Sequence, residues 1–367
     1  SDVCSSDLDD SHAPSLCPPG CAIVPAALAM GEREGASGKA LLNAVALGYD
    51  IGTRINMSLN AYEFREDGHS THSFGPMFGA AAAAGALCRF SERQARHLLS
   101  YTAQQASGVS CWMRDAEHIE KSFDFGGMPA RNGVTAAAMV AHGFTGVDDI
   151  FAGERNFFVA YGRAPNLDEV VRGLGSTFEI MNTNIKRWSV GSPIQAPLDS
   201  LLELIQEHHL KAADVDKMVV RVAHQGANTV DNRHMPDICM QHMCAVMLLD
   251  GTVTFKSSHD EKRMRDAKVL AVRKRVELYG DDALTKVMPS RQGIVEITLK
   301  DGRQLRHHTT AVRGTSDNPM TRKEVDTKSY DLLAPILGRA RARKLCDTIW
   351  SLDKIKDVRK LRPLLVA

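Results

Sequence analysis

Apolar and polar residues follow helical spacing through most of the first half of the chain. Residues 41–49 predict an amphipathic helix. Ser91 is a suitable N-cap for a second helix that continues through Tyr101. The run of small residues from Gly79 to Gly85 predicts a buried helix that packs closely against its neighbours. No alternating pattern long enough for a useful strand occurs between residues 20 and 180.

The pattern changes after Lys186. Residues 217–222 are typical of a strand, and residues 240–249 form an apolar run long enough for a buried helix. Residues 293–306 predict a hairpin around an Asp-Gly turn. Helical spacing returns between residues 345 and 355.

We therefore predict a mainly α protein with a large all-helical domain and a smaller α+β domain. The predicted boundaries are 9–186 for the helical domain, 187–315 for the α+β domain, and 316–367 for C-terminal helices that return to the helical domain. Residues 1–8 resemble a translated sequencing-adapter remnant and not a signal peptide. We expect the natural chain to start near Asp9 and to be truncated at the N-terminus.

Composition narrows the possible functions. A formal charge of +1 gives no electrostatic basis for binding nucleic acid or an anionic membrane. None of the eight cysteines forms a C-x-x-C pair, which argues against a zinc knuckle or an iron–sulfur cluster. Scattered thiols favour a reducing cytoplasmic location. No phosphate-binding glycine loop and no G-x-S-x-G motif is present.

Two histidines precede the small-residue helix. His69 and His72 lie in the segment Gly68–Gly75, which we expect to be a loop. Imidazole titrates near neutral pH, so histidines at the mouth of a buried helix are candidates for proton transfer. The alternative is a pair of solvated loop histidines.

Further candidates are acidic or cationic. Asp10 and Ser11 precede a Pro-Pro-Gly turn, where either side chain is a candidate helix cap instead. Lys121 lies among aromatic residues and glycines, so it is a candidate ligand for a carboxylate; the alternative is a surface lysine beside glutamates. Lys186 stands next to Arg187 and Trp188, and an ordinary solvated pair is the alternative.

Two candidates have structural alternatives that we favour. His242 lies on an apolar segment, where a histidine is more often a satisfied core residue. Arg54 is suited to grip a carboxylate, but a structural ion pair is the more common role. Together the candidates are His, Lys, Arg and Asp without metal-ligand spacing. This set suits a polycarboxylate held by cations, with proton abstraction next to a carboxylate.

In these motifs the chain resembles the 2-methylcitrate dehydratase (MmgE/PrpD) family from Asp9 to the C-terminus. The matching elements include the acidic segment at Asp10 and the histidine loop that leads into the small-residue helix. Lys121 with its following glycines also matches. The remaining matching elements are residues 105–108, 143–146 and 318–321.

The resemblance implies an all-helical domain with a smaller α+β lid, a homodimer, and a reaction that needs no metal or other cofactor. It implies that His69, Lys121 and Lys186 line the active site, and that Ser11 occupies a position where a hydroxyl residue is common. The chain departs from the family pattern at Cys17, where a histidine is frequent. It departs again near His242 and Cys244, where the family has a tyrosine.

We expect a cofactor-free hydro-lyase that acts on 2-methylcitrate or a related tricarboxylic acid. His69 is the main acid–base candidate and Asp10 orients it or the substrate. Lys121, Lys186 and Arg54 are the expected carboxylate ligands, and Ser11 and Cys17 are further expected substrate-binding residues. The departure at Cys17 makes His12, His72 or His242 a possible replacement for the missing histidine. The alternatives are a decarboxylase or epimerase of a related polycarboxylate, or a non-catalytic binding protein of the same fold.

Overall fold

We analysed a computed structural model, which describes residues 8–115 and 119–366. The adapter-like residues 1–7 lie outside these ranges. The chain divides into two compact units, one formed by residues 9–183 with 322 to the C-terminus, the other mainly by residues 184–321. The prediction of a mainly α protein is confirmed. The role of the second unit as a lid stays a prediction.

Helices dominate the first part of the chain. Its regular elements, in chain order, are β1 (Ser11–His12), α1 (Gly20–Glu34), α2 (Gly38–Ser58), α3 (Ala61–Glu66), α4 (Thr71–Leu87), α5 (Glu92–Gln104), a 3₁₀ turn (Ser110–Arg114), α6 (Ile119–Ser122), a π-helical turn (Phe123–Gly127), α7 (Met128–Ala141), α8 (Phe157–Tyr161), α9 (Asp168–Val171), a 3₁₀ turn (Glu179–Asn182) and β2 (Thr183–Asn184).

Helices and strands alternate in the middle of the chain, and helices follow to the end. These elements are α10 (Ser192–His208), β3 (Val215–Val222), α11 (His224–Val230), a 3₁₀ turn (Pro236–Ile238), α12 (Met240–Asp250), α13 (Phe255–Ser258), a 3₁₀ turn (Glu261–Arg265), α14 (Ala267–Arg273), β4 (Val276–Gly280), α15 (Asp282–Lys286), β5 (Gly293–Leu299), β6 (Gln304–Thr309), α16 (Arg322–Leu337), α17 (Arg339–Trp350), 3₁₀ turns (Leu352–Lys354 and Val358–Leu361) and α18 (Arg362–Leu365).

The small-residue helix α4 is the centre of the first unit. Fourteen of its seventeen residues are buried, so the prediction of a central buried helix is confirmed. The prediction for His72 is wrong in one respect. The helix already begins at Thr71, because Ser70 adopts the extended backbone of an N-cap residue. His72 therefore belongs to the first helical turn and not to a loop.

Two pairs of glycines set the distance between α2 and α4. A Cβ at Gly75 would lie 2.3 Å from the carbonyl oxygen of Gly52, and a Cβ at Gly79 would lie 2.5 Å from that of Gly48. The reverse additions are almost as crowded, at 2.8 Å for each pair. The two backbones are therefore in direct contact, which any larger side chain at these positions would prevent.

The C-terminal segment packs in the first unit. Leu352 and Val358 belong to the same buried cluster as Leu41 of α2. The backbone N–H of Val358 donates to the carbonyl of Ala36 (2.9 Å), and that of Gly38 donates to Ile355 (2.7 Å). These bonds fix the turn between α1 and α2 against the end of the chain.

The second unit is built around a four-stranded sheet of order β4-β3-β5-β6. β3 is parallel to β4 and antiparallel to β5, and β5 pairs with β6 in register Glu296 to Arg306. The prediction of a hairpin over residues 293–306 is confirmed. Helices α10 and α12 cover the sheet, and nine of the eleven residues of α12 are buried. Within the two described ranges, no helix has both the length and the apolar character that a membrane span requires.

We predict that Gly75→Ala destabilises the protein by about 3 kcal/mol, because the methyl group forces α2 and α4 apart. Urea unfolding followed by circular dichroism measures this change. Gly127→Ala is the matched control, since its Cβ would come no closer than 3.7 Å to Phe123 and its φ of −63° suits alanine. Equal stability of the two variants would contradict the proposed backbone contact.

Candidate active site

The turn that carries Lys121 and its neighbours departs from α-helical geometry. Residues Phe123–Gly127 form a π-helical turn between α6 and α7. Such turns insert an extra residue into a helix and re-aim the side chains around it, often at functional sites. Here the turn buries Asp124 and Phe125, while Lys121 just before it is half-buried.

His72 and Lys121 both contact the rings of Trp112 and Phe125, which we call the aromatic wall. The imidazole of His72 stacks on Phe125 with ring centroids 4.0 Å apart, and it meets Trp112 edge-on at 4.7 Å. Lys121 Nζ lies 5.5 Å from the Phe125 centroid and 5.8 Å from that of Trp112. These are cation–π distances. The structure thus brings an imidazole and an ammonium group to the same two rings.

A buried hydrogen-bonded chain runs behind this wall. Trp112 Nε1 donates to Ser70 Oγ (3.2 Å), and Ser70 Oγ donates to Asp124 Oδ2. Burial raises the pKa of Asp124 to about 6, although the hydrogen bond from Ser70 opposes the shift. Asp124 therefore changes charge close to neutral pH.

The loop that carries Asp10 is connected to the π-helical turn through the first turn of α1. Asp10 accepts hydrogen bonds from the Gly20 N–H (3.1 Å) and from the hydroxyl of Tyr49 (2.6 Å). Burial, followed by the charge of Asp10, raises the pKa of Tyr49, which keeps the phenol protonated as a donor. The next residue, Cys21, donates to the carbonyl of Phe125 (3.1 Å). The N-termini of α1 and α4 therefore both adjoin Phe125.

His69 lies in a different aromatic environment. Its imidazole stacks on Phe64 at 4.4 Å and meets Phe74 and Tyr161 edge-on at 5.7 and 6.0 Å. It is half-buried. The two histidines of the segment thus face separate sets of rings, and it is His72 that contacts the same two rings as Lys121.

Cys17 and its neighbours form a closed, buried group. Cys17 is buried, its thiol lies 3.1 Å from Ser15 Oγ, and burial raises its pKa to about 12. It is therefore a thiol at neutral pH and does not replace a basic histidine. His12 is also buried between Ser15 (2.8 Å) and Glu179 (3.1 Å), and burial lowers its pKa despite that carboxylate. Ser11 is half-buried in β1.

The proposed substrate role of Arg54 needs correction. Its side chain is 1 % exposed and forms an ion pair with Asp50 at 3.0 Å. The other guanidinium nitrogens donate to backbone carbonyls of the segment after α8, namely those of Glu169, Arg172 and Thr177. Because four of its five N–H groups bond protein atoms, Arg54 has the structural role that we favoured as the alternative.

The remaining candidates lie in the second unit. Lys186 is buried, and Arg187 lies over Trp188 at 4.6 Å while both side chains bond Asp199. His242 is fully buried in α12, and neither ring nitrogen has a hydrogen-bond partner within residues 8–115 and 119–366. Burial, with Arg273 and Arg263 nearby, lowers its pKa to about 4. The imidazole is therefore neutral at physiological pH.

Two family models together match nearly the whole chain. The MmgE/PrpD N-terminal domain matches residues 3–169, and the MmgE/PrpD C-terminal domain matches residues 188–354. The chain belongs to the MmgE/PrpD family.

Individual relatives of this MmgE/PrpD protein are distant but match along the full chain. The cis-aconitate decarboxylase of Homo sapiens is 24% identical over 381 residues, which cover 98% of this chain and 76% of the relative. The cis-aconitate decarboxylase of Aspergillus terreus is 21% identical over 397 residues, covering 98% and 78%. The Mus musculus enzyme is 24% identical over 380 residues, covering 99% and 76%. These relatives are named as decarboxylases, whereas we expected a hydro-lyase.

Asn56 is a residue of this MmgE/PrpD protein that sequence reasoning missed. It is fully buried in α2 and donates to the carbonyls of Ser15 (3.1 Å) and Thr71 (2.6 Å). It also accepts from the Gly75 N–H at 2.9 Å. The amide therefore ties the loop after β1 to the first turn of α4. Nothing in the local sequence of α2 indicates these distant partners.

We predict that Asn56→Ala lowers the free energy of unfolding by about 3 kcal/mol, because it leaves buried backbone groups without a partner. Thermal and urea unfolding measure the change. Asn43→Ala, an exposed position of the same helix, is the control and is expected to be nearly neutral. A neutral Asn56→Ala would show that the three bonds do not hold the first turn of α4 in place.

The raised pKa of Asp124 predicts a pH-dependent stability. The neutral carboxyl is favoured in the folded protein, so the contribution of Asp124 is complete below pH 4 and is lost as pH rises through about 6. Relative to Asp124→Asn, the wild type should therefore lose about 3 kcal/mol of stability between pH 4 and pH 7.5. Urea unfolding across this range measures the difference. A difference between wild type and Asp124→Asn that stays constant over this pH range would contradict the raised pKa of Asp124.

Proposed function

We propose that this protein is a lyase that acts on a polycarboxylic acid by proton transfer at a carbon next to a carboxylate. The observation that carries the proposal is the pairing of the His72 imidazole with the Lys121 ammonium on the wall formed by Trp112 and Phe125. The ammonium supplies charge for a carboxylate, and the imidazole supplies a group that exchanges a proton near neutral pH.

The surroundings support an anionic substrate. His72 lies in the first turn of α4, and helix N-termini favour negative charge. Such an environment also stabilises the negative charge that develops when a proton or CO₂ leaves the carbon next to a carboxylate. Asp10 is occupied by Tyr49 and Gly20, so we propose that it shapes the loop instead of taking the proton.

Decarboxylation is the first reaction to test. The named relatives are cis-aconitate decarboxylases, so cis-aconitate is the first substrate. In this reaction one carboxylate leaves as CO₂, the carbanion that forms is stabilised next to a remaining carboxylate, and that carbon takes up a proton, which gives an unsaturated dicarboxylate. His72 or His69 would deliver the proton, and Lys121 would hold a remaining carboxylate.

Dehydration of 2-methylcitrate is the second candidate. An elimination removes a proton next to a carboxylate and releases hydroxide with help from an acid. The presence of two titratable side chains, His72 and Lys121, on the same rings favours this possibility because the step needs both a base and an acid.

We further propose, from the family resemblance, that the protein is a cytoplasmic homodimer. Light scattering after size-exclusion chromatography would test whether it is a dimer.

We predict that His72→Gln and Lys121→Met each lower kcat/KM by 10²-fold or more, on the order expected for a lost acid–base or substrate-orienting group. The assay follows the products of cis-aconitate and 2-methylcitrate by mass spectrometry. Comparison of His69→Gln with His72→Gln shows which of the two histidines the reaction needs. His142→Gln, which changes an exposed histidine, is the control.

Two outcomes would count against this proposal. Full activity of both His72→Gln and Lys121→Met would remove the site from the reaction. A folded wild-type protein that binds cis-aconitate in calorimetry, but converts neither acid, would support the non-catalytic binding alternative.

A further inference from the structure

The hydroxyl of Ser70 is diverted from the helix that it precedes. Serine is preferred at the N-cap because its Oγ accepts a hydrogen bond from the N–H groups of the first turn. Ser37 and Ser91 do so at α2 and α5, where they accept from Ala40 and Gln94. Ser70 has the same position and an extended backbone, but its side chain makes no cap bond. It bonds Asp124 and Trp112 instead.

The direction of this chain of bonds is fixed by chemistry. An indole N–H only donates, so Ser70 Oγ must be the acceptor from Trp112. The hydroxyl proton of Ser70 is then available for Asp124, whose Oδ2 accepts it. All three side chains are at most 8 % exposed, so water does not compete well for these groups.

This series of hydrogen bonds connects the two residues, Trp112 and Phe125, whose rings contact His72 and Lys121. Trp112 is held by its indole N–H, and Phe125 follows Asp124 directly in the π-helical turn. A shift of Asp124 would therefore move both rings of the wall. Ser73 also helps to hold the backbone at Ser70, because its hydroxyl donates to the carbonyls of Ser70 (3.2 Å) and Ser107 (2.8 Å).

We propose that Asp124 is a positioning residue, which through Ser70 fixes the Trp112 indole and so the spacing between the His72 imidazole and the Lys121 ammonium. The kinetic consequence rests on the proposed function; the geometric claim does not. Misplacement of a reacting group by about 1 Å can cost 10²-fold in rate. Disruption of the chain should therefore lower kcat, while KM changes little.

The test combines turnover with a probe of the ring itself. We expect Asp124→Ala and Ser70→Ala each to lower kcat about 10²-fold, with KM within about threefold. The double variant should be no worse than either single one, since both interrupt one chain. Asp124→Asn should recover most of the activity, because its amide oxygen still accepts from Ser70. Glu120→Gln is the control carboxyl in the same segment and should leave kcat unchanged.

The second readout is the ¹³Cε1 resonance of His72 in histidine-labelled protein, assigned by its loss in His72→Gln. We expect this resonance to shift in Asp124→Ala and Ser70→Ala and to keep its position in Asp124→Asn and Glu120→Gln. An unchanged resonance in both alanine variants would overturn the proposal, as would multiplicative losses of kcat in the double variant. If the wild type converts no polycarboxylate, the proposed function fails, and the resonance alone decides the positioning role.

Discussion

The contact between the backbones of α2 and α4 is the constraint on which the first unit depends. Where helices pack this closely, side chains cannot fill the space between them, so Gly48, Gly52, Gly75 and Gly79 are fixed by geometry. The contact also brings Asn56 within reach of the first turn of α4. The position of the candidate active site thus follows from the separation of two helices and not from the site residues themselves.

Buried polar groups then attach the less regular segments to this pair of helices. Arg54, on the same helix as Asn56, holds three carbonyls of the segment that follows α8. Its partner Asp50 accepts the backbone N–H of Glu179, which in turn bonds His12. Such buried charges are costly unless each has partners, so these contacts specify one arrangement of the loops around α2.

Features that depend on local composition could be predicted from the sequence, whereas features that depend on distant partners could not. Neighbouring residues in the sequence were enough to predict three elements: the small-residue helix α4, the apolar helix α12 and the Asp-Gly hairpin. By contrast, Ser70 is an ordinary N-cap residue in sequence, and its diversion depends on Asp124, which lies 54 positions later. The carbonyl partners of Arg54 could not be predicted for the same reason, because they lie more than 100 residues away, whereas its ion pair with Asp50 is a local contact.

The backbone contact begins at Gly75, one turn after the helix starts, and this separates two kinds of position on α4. Gly75 and Gly79 touch the backbone of the neighbouring helix, so neither position has room for a larger side chain. His72 is half-buried and touches aromatic side chains instead of backbone, so it can be exchanged without altering the helix spacing. A substitution at this position therefore leaves the contact between the two helices in place, so related sequences can differ at position 72 while keeping the same core.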